Sequence, residues 1–345
     1  MSEPLLSVED LHVRFNTEGG VVHAVDGVSF DLARGEILAV VGESGCGKSV
    51  TAQTIMGLTR TTNAEHEGSV RFRDRELLTA PNSELRKVRG AEIAMIFQDP
   101  MTSLNPVHRI GDQIVEQILA HEELPEPEAR ERAVELLDRV GIPQARERMR
   151  SYPHEFSGGM RQRVMIAMAL SCGPEVLIAD EPTTALDVTI QAQILERIRE
   201  LRETEDAGVI LVTHDLGVVA DIADRILVMY AGRIVEQGTL DEIFYDPQHP
   251  YTWGLLGSIT RIDRERPERL PAIAGLPPSL ADRPEGCHFR PRCPHEFDKC
   301  PEKPPLEPRG GAAGHCDRCW LSPEEKRAKR MVQGQIGLGS KGAVA

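Results

Sequence analysis

Eight residues, Gly42-Glu43-Ser44-Gly45-Cys46-Gly47-Lys48-Ser49, constrain this chain more than any other stretch, because they fit the spacing Gly-x-x-x-x-Gly-Lys-Ser/Thr. Their context agrees. Glu36-Ile37-Leu38-Ala39-Val40-Val41 before them reads as a buried strand, and Ser49 to Gly57 after them as a helix. A strand feeding a glycine-rich turn and then a helix presents successive backbone N–H groups and a helix N-terminus to an anion. In that frame Lys48 reaches the β- and γ-phosphates of a nucleotide, and the Ser49 hydroxyl ligates Mg²⁺. A plain glycine-rich turn is the competing reading, and the flanking elements disfavour it.

Two further apolar runs predict strands that end in titratable side chains. Val176-Leu177-Ile178-Ala179 closes on Asp180, where a carboxylate can hold Mg²⁺ through water, and Glu181 follows with the opposite side-chain direction, as a general base would. Taken alone, the pair reads equally well as a solvated strand end. Val209-Ile210-Leu211-Val212-Thr213 ends in His214-Asp215, which puts an imidazole at the carboxyl edge of the same expected parallel sheet, where ligands collect in open α/β folds. A helix cap or a surface role is the other reading of His214.

With Phe156-Ser157-Gly158-Gly159-Met160-Arg161-Gln162 added, the motifs resemble those of the ATP-binding cassette (ABC) ATPases from about Leu5 to Gly238. The resemblance implies an α/β P-loop NTPase fold: a RecA-like mixed sheet core, an antiparallel β subdomain and an inserted helical subdomain. It implies ATP and Mg²⁺ as ligands, with the ATP-binding stretch running from Gly42 to Val50. Ser157, Gly158, Gly159 and Met160 match the signature that binds the ATP held by a partner cassette. Physically, a serine opening a helix with two glycines offers backbone N–H groups to an anion, and a simple N-cap is the alternative. Met160 departs from the more usual glutamine, which leaves Ser157 and the backbone donors intact. Gln98, which ends Ile93-Ala94-Met95-Ile96-Phe97, matches the glutamine that senses Mg²⁺ and the attacking water. Asp187 in Thr184-Ala185-Leu186-Asp187 matches the aspartate that crosses the dimer interface, or by itself a helix cap. Phe15 matches the aromatic that stacks on adenine, or by itself a core residue. On this resemblance Glu181, His214 and Gln98 are the catalytic set, and Ser49, Gln98 and Asp180 the Mg²⁺ set.

Composition narrows the class. The 345 residues, 40% hydrophobic, suffice for a large core. No charged-then-apolar leader and no run of 18 apolar residues is found, so neither export nor membrane spanning is expected. A net charge of −14 disfavours nucleic acid as a partner. Residues 109 to 150 read as a helical insert, with breaks at Pro125, Pro127 and Pro143. From Glu128 to Val140 the spacing sets Ala129, Ala133, Leu136, Leu137 and Val140 on one helix face.

After Gly238 the pattern changes to a proline-rich stretch holding five of the seven cysteines, spaced Cys287-x5-Cys293-x6-Cys300 and then Cys316-x2-Cys319. The spacing fits neither a two-pair zinc ribbon nor a ferredoxin pattern, and disulfides are not expected without an export signal. An iron–sulfur cluster, zinc and free structural thiols are the three readings. Asp246-Pro247-Gln248-His249-Pro250-Tyr251-Thr252, Gly286-Cys287-His288-Phe289-Arg290-Pro291-Arg292-Cys293-Pro294 and Phe97-Gln98-Asp99-Pro100 through Pro106 resemble the ATPases of oligopeptide, dipeptide and nickel importers. That resemblance implies a [4Fe–4S] cluster on Cys287, Cys293, Cys300 and Cys319, with Cys316 as rival for the last place. It also implies a peptide importer at the cytoplasmic face of the membrane. The partners it implies are a second cassette (identical or homologous), two transmembrane permeases and an extracellular or periplasmic solute-binding protein. Import of nickel or another small solute, and a soluble cassette acting on DNA or the ribosome, are the alternatives. The expected organisation is a nucleotide-binding domain over 5–245 with the helical insert at about 100–160, a cysteine-bearing extension over 246–322 and a flexible polar tail over 323–345.

Overall fold

The computed structural model describes residues 3–183, 187–258, 273–308 and 314–332. In chain order the first half contains β1 (Leu6–Thr17), β2 (Gly20–Leu32), β3 (Ile37–Val41), α1 (Lys48–Ile55), β4 (Ala64–Phe72), β5 (Arg75–Glu76), α2 (Asn82–Val88), β6 (Ile93–Ile96), α3 (Pro100–Ser103), α4 (Ile110–His121), α5 (Glu126–Arg139), α6 (Ala145–Arg148) and α7 (Gly158–Ala169). The second half contains β7 (Val176–Asp180), α8 (Val188–Glu205), β8 (Gly208–Thr213), α9 (Leu216–Ile222), β9 (Arg225–Tyr230), β10 (Arg233–Thr239), α10 (Leu240–Tyr245), α11 (Pro250–Gly257), β11 (Glu307–Pro308), β12 (Cys316–Asp317) and α12 (Pro323–Val332). The strand, turn and helix expected around Gly42 to Ser49 are β3 and α1. These elements divide between two units, one of residues 1–6, 32–37 and 72–212, the other of residues 7–31, 38–71 and 213–345.

In the first unit β6, β7 and β8 lie parallel, with Ile93 opposite Val176 and Val176 opposite Gly208. Every residue of the three strands is buried. Their largely apolar runs follow from that, since a strand covered on both faces has no solvent side on which to alternate. The insert is helical as its periodicity requires. Ala129, Ala133, Leu136 and Leu137 of α5 are buried, as are Ile110, Ile114 and Ile118 at four-residue spacing on α4.

In the second unit β2, β1 and β4 are neighbours in one sheet. β3 pairs parallel with β9, from Leu38 opposite Arg225 to Val41 opposite Val228, and β9 returns antiparallel as β10. The turn between them, Ala231-Gly232, has positive φ at both residues, the backbone that matches the twist of a tight hairpin. β10 is extended by β12, with Glu236 opposite Asp317, and β12 by β11. No helix among the described residues is long and apolar enough to cross a membrane.

The extension does not stand apart. Tyr251 and Phe289 share a core with Ala39 and Val41 of β3 and with Val228 and Tyr230 of β9, so residues after 245 fold onto the strand that leads into the glycine-rich loop. The tail also differs from expectation: residues 323–332 form α12, whose Lys326 is 1% exposed, and residues 333–345 lie outside the described residues. The cause is a buried ion pair, Lys326 with Asp317, which hydrophobic periodicity does not register.

Candidate functional site

In the first unit the parallel strands deliver their carboxyl ends to one edge. Asp180, the last residue of β7, is 1% exposed. Glu181 then leaves the strand with φ +49, a left-handed conformation rare for a residue with a side chain and concentrated at functional turns. Its own N–H still donates to Val212 O at 2.8 Å. Gln98, two residues beyond β6, is exposed, and its amide Nε2 donates to Glu181 Oε2 at 2.9 Å. An amide and a carboxylate that sit 83 positions apart in sequence are thereby joined. A half-buried carboxylate so held is able to accept a proton from water, and the buried Asp180 beside it offers a second carboxylate as a cation ligand.

Ser157 caps α7 by accepting from Met160 N at 3.3 Å. A side chain built at Gly158 would meet nothing within 4 Å, so the first turn of this helix has open space beside it. Arg161 pins the preceding turn through the Pro153 and Phe156 carbonyls. Gln162, 1% exposed, donates to the Pro182 carbonyl, tying the helix to the residue after Glu181. The motif contains Gln162, but nothing local in the sequence signals this tie. Asp187 caps α8 by accepting from Ile190 N at 3.0 Å, which is the role its position alone suggests; Thr184, Ala185 and Leu186 lie outside the described residues.

In the second unit the glycines have specific causes. A Cβ on Gly42 would come within 2.2 Å of Met229 O, and one on Gly47, φ +106 and N-cap of α1, within 2.4 Å of Ala24 O. Lys48, 5% exposed, curls over the loop and donates to Gly42 O at 2.8 Å and Glu43 O at 3.0 Å. Ser44 and Gly45 are exposed, Ser49 and Val50 half-buried, and Cys46 is buried, its thiol pushed upward in pKa by burial against the opposing pull of Lys48. Phe15 on β1 is half-buried rather than in the core, and His214 is exposed while Asp215 caps α9. The loop has attachments that no motif announces. Arg292 clasps the Glu43 carboxylate, and the Tyr251 hydroxyl accepts from Glu43 N at 2.9 Å.

Cys287, Cys293, Cys300 and Cys319 line a single cavity walled by Phe289 and Trp320, and Cys316, on β12, is not among its lining residues. Burial raises the thiol pKa of Cys287, and it raises those of Cys293 and Cys319 to about 12. Among the described residues no three His, Cys, Asp or Glu side chains are grouped to hold a single metal ion. The four thiols, three from residues 287–300 and one at 319, are of the donor type that iron–sulfur clusters use.

Over residues 25–184 the chain matches the family described as ABC transporter, and over residues 235–300 the family described as oligopeptide/dipeptide transporter, C-terminal region. It is 53% identical over 331 residues to the dipeptide transport ATP-binding protein DppD of Bacillus subtilis, covering 96% of this chain and 98% of that protein. It is 53% identical over 321 residues to the oligopeptide transport ATP-binding protein OppD of Salmonella typhimurium, covering 93% and 95%. Among solved structures it is similar to the dimeric post-hydrolysis state of the ATP-binding cassette MJ0796 bound to ADP and Pi, at TM-score 0.63 and 26% identity over 68% of this chain and 98% of that one. It is also similar to cbiO1 from Clostridium perfringens, part of an ABC transporter complex, at TM-score 0.57 and 30% identity over 70% and 91%.

Proposed function

This chain belongs to the ABC transporter ATP-binding proteins, and from that premise we propose that it hydrolyses ATP to energise uptake of dipeptides or oligopeptides through a membrane importer. The observation that carries the reading is the union, on one chain, of an ABC transporter match with a match to the oligopeptide/dipeptide transporter C-terminal region. The names of the relatives point the same way.

In this reading the amides from Gly42 to Val50 and the Lys48 ammonium cradle the phosphates, and Phe15 stacks on the adenine. Ser49, Gln98 and Asp180 would hold Mg²⁺, which when bound would offset the negative charge of the nucleotide's phosphates. Glu181 takes a proton from the attacking water, Gln98 orients that water from its hydrogen bond to Glu181, and His214 faces the γ-phosphate. Ser157, Gly158, Gly159 and Met160 contact the ATP of a second cassette, against which Asp187 packs. Two permeases dock on the surface after Gln98, where Met101 and Val107 are exposed apolar side chains at 62% and 75%. A solute-binding protein delivers the peptide on the far side, and this chain works at the cytoplasmic face.

A Glu181→Gln variant locked with ATP in native membranes, gently solubilised and analysed by mass spectrometry, is expected to retain two polytopic permeases and a peptide-binding protein. Recovery of a nickel-binding protein would change the cargo. Ribosomal or DNA-repair partners without membrane proteins would overturn the transport reading.

Cys287, Cys293, Cys300 and Cys319 are assigned to a [4Fe–4S] cluster, which when bound cross-links the extension; their shared cavity supports the assignment. Protein purified anaerobically is expected to carry about four iron and four sulfide per chain. A Ser substitution at any of the four removes most of the iron, and Cys316→Ser leaves it. Zinc in place of iron, or neither, ends the assignment.

A further inference from the structure

The cysteine-bearing extension holds Glu43 of the phosphate loop by both its side chain and its backbone. Arg292 Nη1 donates to Glu43 Oε2 at 2.6 Å and Nη2 to Oε1 at 3.0 Å, a bidentate pair in which the arginine side chain is only 4% exposed. Tyr251 accepts the Glu43 N–H through its hydroxyl. Arg292 is itself fixed, with Nε on the Ala274 carbonyl at 2.9 Å and its guanidinium over the Tyr230 ring. Tyr251 is 0% exposed, its ring packed at a tilt of 58° against both Tyr230 and Phe289. The carbonyl of the same Glu43 accepts from Lys48 Nζ. One short chain of hydrogen bonds therefore runs from the extension through Glu43 to the phosphate-binding lysine.

The geometry points to Arg292 and Tyr251 as positioning residues of the phosphate loop, so that the extension sets the affinity of this chain for ATP. Two physical effects act together. The fork holds the loop backbone in register, and it neutralises a carboxylate that stands one residue into a loop built to receive a triphosphate. The inference rests on the reading of Gly42 to Ser49 as the ATP site. Neither residue touches the transferred phosphoryl group in this scheme, so the effect belongs in binding and not in the chemical step.

The test is a double-mutant cycle on the full chain, read by titration with a fluorescent ATP analogue and by steady-state turnover. Arg292→Gln is expected to weaken nucleotide binding and raise KM about tenfold while kcat changes less than about twofold. Arg292→Lys keeps the charge and the stem but not the fork, and is expected to lose about threefold. Because the two side chains act as one unit, Glu43→Gln combined with Arg292→Gln binds no more weakly than Arg292→Gln alone. Unchanged KM in folded Arg292→Lys and Arg292→Gln proteins, or losses that multiply in the double variant, overturns the proposal. Lys48→Ala separates the two levels: if it too leaves nucleotide binding intact, the ATP-site reading fails. If Lys48→Ala abolishes binding while the Arg292 variants do nothing, only the positioning role fails.

Discussion

Glu181→Gln is expected to lower ATP turnover by about 10²- to 10⁴-fold and leave nucleotide affinity within about threefold of the parent. The argument starts from the backbone. β7 is buried along its whole length, and the chain breaks from it at Glu181 into a left-handed conformation that carries the side chain out to an exposed amide, Gln98. Glutamine is nearly isosteric with glutamate, keeps an oxygen able to accept from Gln98 Nε2, and leaves Asp180 and the phosphate loop unaltered. It cannot take a proton from water. A large fall in kcat with binding intact is the signature of a group that acts only in the transition state. Phosphate release under saturating ATP, paired with an analogue titration, separates the two quantities. Turnover within about threefold of the parent would remove Glu181 from the role of base and shift attention to His214.

The parts of this site that were legible in the sequence are those where a short segment supplies both the fold and the chemistry. Gly42 to Ser49 could be read because its glycines follow the phosphate-loop spacing, and two carbonyls, Met229 O and Ala24 O, leave no room for a Cβ at Gly42 or Gly47, so steric need imposes the same pattern that the motif names. Asp180 and Glu181 were legible as the end of a buried strand. The helical face from Ala129 to Leu137 followed from its period. What was not legible depends on pairs brought together only by tertiary structure. Glu43 and Arg292 are 249 positions apart, and nothing in either neighbourhood names the other. Tyr251 and Phe289 lie in proline-rich stretches without periodicity, yet they complete the core under β3 and β9. The segment from Pro323 looked like a solvated tail because its anchor is a lysine, a residue that pattern reading assigns to the surface.

That lysine carries the second large effect. Lys326 Nζ donates to both carboxylate oxygens of Asp317 at 2.7 Å, with the two side chains 1% and 0% exposed. The pair closes α12 over β12, the strand that extends β10 through Glu236 and Asp317. Lys326→Met fills much of the same volume but strands a carboxylate away from water, and breaking a buried pair in this way costs about 3–5 kcal/mol. At about 1.4 kcal/mol per factor of ten, opening of this region becomes at least about a hundredfold more frequent. The backbone N–H of Arg318, which donates to Val235 O at 2.8 Å, reports that opening directly through its hydrogen-exchange rate. Adding Asp317→Leu to Lys326→Met removes the orphaned charge and is expected to recover most of the protection, because an apolar pair of similar volume is often as stable as the ions it replaces. The neighbouring ion pair sets the scale. Arg330 and Asp246 are 16% and 47% exposed, and Asp246→Asn is expected to change exchange by less than about fivefold, as partly solvated pairs contribute little. If Lys326→Met were no worse than Asp246→Asn, the buried pair would not be what fastens α12. If the double variant exchanged as fast as the single one, the loss would come from the missing ion pair itself and not from an orphaned carboxylate.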